Sequence, residues 1–165
     1  MLDEKLKMLA EYLSENKLTV ATAESCTGGL LSSRFTDISG SSDFVKLNFV
    51  TYANDAKNNI LNVPEDILSS VGAVSEECAY YMAKGLHEKT NCDLAICTTG
   101  IAGPTGGSKE KPVGLVFVSV YFKENIIVKK FILPKFLPRK LMKFMFSQKA
   151  IELAFQNVVL VKNKI

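Results

Sequence analysis

The chain has 165 residues, 47% of them hydrophobic, and a formal net charge of only +3, which is enough apolar mass for one substantial core and a single domain over 1–165. No apolar run approaches the ~18 to 20 residues of a membrane helix, and the N-terminus, MLDEKLKMLAEYL, mixes acids and bases through its apolar positions, so a cytoplasmic protein with neither membrane span nor export signal is expected. Cys26, Cys78, Cys92 and Cys97 form no CxxC pair and His87 is the single histidine; neither a disulfide framework nor a metal cofactor is expected.

In chain order, Leu2, Leu6, Leu9, Ala10 and Leu13 fall at helical spacing and predict an amphipathic helix over 3–15, ahead of a short strand at 18–23. Ser25-Cys26-Thr27-Gly28-Gly29 then leads into apolar spacing at Leu30, Leu31 and Phe35, a loop that opens a helix ending near Asp37 to Gly40. A second strand is predicted over 47–52 (LNFVTY), with helical character over 54–61 and Pro64 in the first turn of another short helix. Ser75, followed by Glu76 and Glu77, is a plausible N-cap for a longer helix to about Lys89.

The apolar run at 93–98 (DLAICT) reads as a central strand covered on both faces. It ends in a glycine- and proline-rich loop, TGIAGPTGGSKEKP (99–112), too long for a minimal connection. Strands over 113–122 and 126–133, around Lys123-Glu124-Asn125, form an antiparallel hairpin, and a helix over 138–155 closes the chain. Residues 121–165 carry ten Lys/Arg against Glu124 and Glu152, a local +8. Such a quarter reads either as a solvated helix face or as a receptor for an anionic ligand; with no recognisable nucleic-acid module, nucleic acid is not the expected partner.

Chemistry concentrates at the strand–turn–helix of 18–40. Ser25 stands where helix-start N–H groups could serve an oxyanion or phosphate, although Ser25 or Thr27 capping the helix, with glycines easing tight packing, accounts for the same residues. His87 is predicted mid-helix, away from any loop, and reads as a surface residue. The remaining base is a lysine kept neutral by burial, and Lys57, one turn into the helix after Tyr52, is the candidate, with Tyr52 able to relay a proton.

Four stretches, AESCTGGLLSSRFTDISGSS (23–42), FVTYANDAK (49–57), GAVSEE (72–77) and TGIAGPTGGSKEKPVG (99–114), resemble in the same order the CinA C-terminal domain, also known as the stand-alone nicotinamide mononucleotide amidase. The resemblance covers about residues 5 to 155. It implies an α/β fold, a three-layer α/β/α sandwich with a mixed, mostly parallel five-stranded sheet, commonly a homodimer. It also implies a pyridine-nucleotide substrate whose carboxamide is hydrolysed to carboxylate and ammonia.

Carried over, Ser25 would be the nucleophile, Lys57 the base and Tyr52 its assistant, with Thr27, Gly28 and Gly29 supplying backbone donors. The loop from Thr99 to Gly107, with Gly100, Gly103 and Gly106, would wall the nucleotide site, and Arg139 and Lys143 would receive the phosphate. Lys143 stands where the family carries arginine and Ala53 where it carries serine, changes that leave open a non-catalytic nucleotide-binding or regulatory protein linked to competence and DNA damage. The apolar Phe136, Leu137, Phe144 and Phe146 near the end read either as a dimer interface or, for most of them, more simply as core.

Overall fold

The computed structural model describes residues 3–160; Leu2, counted above on the first apolar stripe, lies outside them. Helix α1 (Glu4–Glu15) is capped by Asp3, whose carboxylate accepts the Lys5 N–H at 3.0 Å, and its buried stripe is Leu6, Leu9, Ala10 and Leu13. Strand β1 (Val20–Glu24) is buried along its whole length, and the turn after it opens α2 (Leu30–Thr36). Strand β2 (Val45–Val50) is followed by α3 (Asn54–Leu61), α4 (Glu65–Ser70) and α5 (Glu76–Thr90), the last capped by Ser75 Oγ on the Cys78 N–H. Strand β3 (Leu94–Gly100), the hairpin β4 (Leu115–Phe122) and β5 (Asn125–Ile132), and α6 (Arg139–Val158) complete the order.

The five strands form one sheet in the order β2-β1-β3-β4-β5. β1 pairs in parallel with β2 and β3, while β4 is antiparallel to both its neighbours; four strands therefore point one way and only β4 runs against them. Alternation along the strands sends side chains to two cores. On one face Leu9, Leu13, Phe35, Met142 and Phe146 pack over Val20, Leu94 and Ile96. On the other Leu61, Met82 and Leu86 pack over Ala21, Ala23, Ala95 and Cys97. Helices α1, α2 and α6 cover the first face and α3 to α5 the second, the three-layer sandwich expected. No helix among the described residues is long and apolar enough to cross a membrane.

The second face is built from small strand residues, so α5 lies close to its neighbours. A Cβ added at Gly85 would collide with the backbone carbonyl of Leu61, the last residue of α3. The shortest side chain is thus needed where the two helices meet.

β2 begins and ends two residues earlier than the 47–52 prediction. Thr51 N–H still donates to the Glu24 carbonyl at 2.9 Å, but the carbonyls of Thr51 and Tyr52 turn from the sheet to Lys57, and the ladder stops. His87 is half-buried rather than a surface residue: its ring stacks on Tyr121 at 3.8 Å and its Nδ1 lies 2.8 Å from the Cys92 carbonyl. Of Phe136, Leu137, Phe144 and Phe146 only Phe146 is fully buried, whereas Phe136 is 81% exposed and Phe144 is half-exposed beneath the Arg34 guanidinium.

Candidate active site

Topology brings the candidate chemistry to one edge of the sheet. The parallel strands β1, β2 and β3 end there, α3 and α6 begin there, and the 101–114 loop leaves β3 there. The carboxyl edge of an open α/β sheet is where loops from neighbouring strands leave room for a ligand. A cavity of ≈ 300 Å³ occupies it, with Ser25, Lys57, Tyr52, Asn54, Thr99 and Arg139 in its wall and the 100–106 loop along one side.

Lys57 is the unusual group in this wall: a lysine only 1% exposed, in the first turn of α3. Helical side chains lean toward the helix start, which carries its Nζ back to the end of β2. There Nζ lies 2.8 Å from the Thr51 carbonyl, 3.0 Å from the Tyr52 carbonyl and 3.1 Å from Ser25 Oγ. Burial holds its pKa below the ordinary lysine value. Thiolates at Cys78 and Cys26 would oppose that shift, but burial pushes their thiols up to about 11 and about 12, so both are neutral beside the amine at physiological pH. The same shift makes Cys26, adjacent to Ser25 and in the cavity wall, a poor nucleophile.

The partner set decides how a neutral Lys57 is oriented. A neutral amine has two N–H donors and one lone pair. In that neutral form the two carbonyls, which can only accept, would take both N–H bonds and leave the lone pair directed at the Ser25 hydroxyl 3.1 Å away. The Ser25 N–H donates to the Thr98 carbonyl at 3.0 Å and its own carbonyl accepts from Gly28 N–H at 3.1 Å, which fixes the serine backbone between β3 and the turn.

The other predicted residues divide. Thr99, Gly100, Gly103, Gly106 and Arg139 line the cavity with Ser25, Tyr52 and Lys57, whereas Thr27, Gly28, Gly29, Gly107 and Lys143 do not. Tyr52 is 60% exposed, and its hydroxyl accepts from Arg139 at 3.2 Å, so its link to Lys57 runs through its carbonyl. Arg139 also donates to the Gly103 carbonyl at 2.6 Å, tying α6 to the loop.

Gly28 and Gly29, expected to present N–H donors to a ligand, send them elsewhere: Gly28 to Ser25, and Gly29 to the Glu24 carboxylate at 3.1 Å. The physical reason is that Glu24, at the end of β1, reaches the helix start first. Thr27 is fully buried, its hydroxyl on Glu24 and Thr98. The N–H groups of Cys26 and Thr27 meet no acceptor in another described residue. Gly107 is a packing position, where an added Cβ would fall 2.7 Å from the Val113 nitrogen. Lys143 Nζ lies over Gly28, 3.2 Å from where a Cβ would stand. Glu24, Asn54 and Thr105 were not singled out in the sequence; an acid closing a buried strand just before a helix start was the available signal for the first.

Ala53 is the N-cap of α3, with extended backbone (φ −80°, ψ 157°) and no side-chain hydrogen bond to the helix. The family's serine at this position would therefore act on α3 rather than on the substrate. Ala53→Ser is expected to stabilise the protein by about 1 kcal/mol, raising Tm by roughly 2–4 °C for a chain of this size. Thermal unfolding followed by circular dichroism checks this; an unchanged or lower Tm contradicts the capping role.

These features define an α/β protein of the open-sheet class with a pocket-facing serine and a buried lysine joined at the carboxyl edge of its parallel strands. Residues 3–158 match the CinA C-terminal domain, and the chain belongs to that family. It is 55% identical over 119 residues to a CinA-like protein of Syntrophus aciditrophicus, covering 72% of this chain and 28% of that protein. With a CinA-like protein of Chlorobium chlorochromatii it shares 52% identity over 122 residues, 74% of this chain and 29% of the relative. The chain thus spans less than a third of the length of these curated relatives.

Among solved structures it is similar to the competence/damage inducible protein CihA of Agrobacterium tumefaciens, with a TM-score of 0.86 and 37% identity over 93% of this chain and 95% of that one. A CinA superfamily protein of Escherichia coli superposes with a TM-score of 0.89 at 29% identity, covering 95% and 90% of the two chains.

Proposed function

We propose that this site hydrolyses the carboxamide of nicotinamide mononucleotide to nicotinate mononucleotide and ammonia, with Ser25 as nucleophile and Lys57 as general base. The observation that carries the reaction class is the Lys57 amine held by two carbonyls with its remaining direction on Ser25 Oγ. A serine activated by a buried lysine is a known solution to amide hydrolysis without histidine. The choice of nucleotide rests on family membership, and a cationic group in the wall, Arg139, suits a phosphorylated substrate.

In the first half-reaction Lys57 takes the Ser25 hydroxyl proton as Oγ bonds to the amide carbon. The N–H of Cys26, one residue past the nucleophile and in a residue of the cavity wall, is the donor offered to the developing oxyanion. The C–N bond then breaks, and the Lys57 ammonium returns the proton to the departing nitrogen, which leaves as ammonia. In the second half-reaction Lys57 takes a proton from water as it attacks the acyl ester, and Ser25 is regenerated. Arg139, anchored by Gly103 and Tyr52, has donors left for the phosphate.

The test is ammonia release from nicotinamide mononucleotide by the purified protein in the presence of a chelator, with nicotinate mononucleotide identified as product. Stoichiometric release of both is expected. A folded protein that binds the nucleotide and releases no ammonia overturns the reading and favours a pocket that only binds.

A further inference from the structure

Glu24 is a fully buried carboxylate at the end of β1, and it makes no contact with a cation in the described structure. Four donors converge on it instead. Oε2 accepts from the Thr27 hydroxyl at 2.5 Å, Gly29 N–H at 3.1 Å and Leu31 N–H at 2.9 Å, while Oε1 accepts Ser32 N–H at 2.8 Å. Both oxygens act as acceptors and each has a donor, which is what a polar group needs in order to be buried without a large cost.

We propose that Glu24 is the positioning residue for Ser25: it ties the strand that precedes the serine to the helix that follows it, and so fixes the Oγ to Lys57 distance. The proposal rests on the amidase reading. Three observations carry it. Glu24 immediately precedes Ser25, so both ends of the five-residue turn 25–29 are fastened to one side chain. Its partner Thr27 is bonded in turn to Thr98 Oγ1 at 2.8 Å, and the Thr98 carbonyl receives the Ser25 N–H, which closes a ring of contacts around the nucleophile. Finally, its carboxylate occupies the first free N–H groups of α2, the donors to which an external anion would otherwise bind. The turn is therefore held from inside the protein before any substrate arrives.

Glu24→Gln keeps the shape of the side chain. With the amide oxygen on the Thr27 side, its NH2 group faces the Ser32 N–H, donor against donor, and the tie to α2 is half lost. Misplacing a nucleophile by about 1 Å costs on the order of 10²-fold, so kcat for ammonia release is expected to fall tenfold or more with KM near the wild-type value. A residue that merely stabilised the fold would lower Tm and leave the kcat of the folded fraction unchanged.

Thr27→Val removes the hydroxyl that joins Glu24 to Thr98, leaves the carboxylate in place, and is expected to lower kcat in the same way by a smaller factor. It supplies the test if Glu24→Gln does not fold. Labelling of Ser25 by a fluorophosphonate, read by intact mass, needs no nucleotide and is expected to slow in parallel. Labelling and kcat at wild-type levels in both variants overturn the role of Glu24. A wild-type Ser25 that is labelled, in a protein that leaves the mononucleotide intact, overturns the substrate assignment while the labelling rates of the variants still decide the positioning role. A wild-type serine that neither labels nor hydrolyses overturns both.

Discussion

Ser25→Ala is expected to release ammonia from nicotinamide mononucleotide at least about 10³-fold more slowly than the wild type, the scale of loss when a covalent nucleophile is removed. Its Tm should stay near the wild-type value, because Oγ has one polar partner, Lys57 Nζ, and no part in the core. Losing that partner leaves the lysine both carbonyls. Nucleotide affinity, measured by calorimetry, is expected to remain, since the proposed phosphate group Arg139 is untouched. A variant that turns over at the wild-type rate would remove Ser25 from the chemistry, and Cys26 could not replace it with a thiol held up at about 12.

The second large effect is expected at Lys57. Lys57→Arg keeps donors for the carbonyls, but a guanidinium holds its proton throughout the accessible pH range. It cannot accept the serine proton, and a loss of about 10³-fold or more in kcat is expected. In the wild type the rate should rise with pH as Lys57 is deprotonated, with an inflection below the ordinary lysine value, because burial lowers the pKa.

The sign for stability follows from the same shift. Between the lowered folded pKa and the unfolded one, the unfolded chain holds more protons, so the Lys57 contribution to stability grows as pH rises through that window. Rate against pH from 6 to 10 for the two proteins checks the assignment. A Lys57→Arg variant that retains the wild-type profile would sink it.

Most of the fold was legible in the sequence because period and punctuation agreed. β3 is a nearly continuous apolar run, α1 has a clean stripe, and Ser75 with two following acids marks the start of α5. The errors lie where tertiary partners override local pattern. Thr51 and Tyr52 look like strand residues, but Lys57 draws their carbonyls away from the ladder.

Within the site, Ser25 and Lys57 were visible as residue types in the right loop and helix. That they meet at 3.1 Å across 32 residues follows only from the parallel pairing of β1 and β2. The donors of Gly28 and Gly29 were misassigned because Glu24, read as the last letter of a strand, gave no sign in the periodicity that its side chain turns back onto α2. Phe136 and Phe144 show the reverse limit: hydrophobicity without a helical period could not tell core from surface.

The proposed nucleophile and its proposed base are mounted on different layers of the sandwich. Ser25 belongs to the turn that leads into α2 on one side of the sheet, and Lys57 belongs to α3 on the other. Their separation is therefore a gauge of how the two helical layers are aligned, and anything that slides one layer is read out at the reacting atoms. The tight crossing at Gly85 sets that alignment on the α3 side. A single methyl group there, at a residue outside the cavity wall, would push α3 outward and be transmitted along one rigid helix to the Lys57 amine at Ser25.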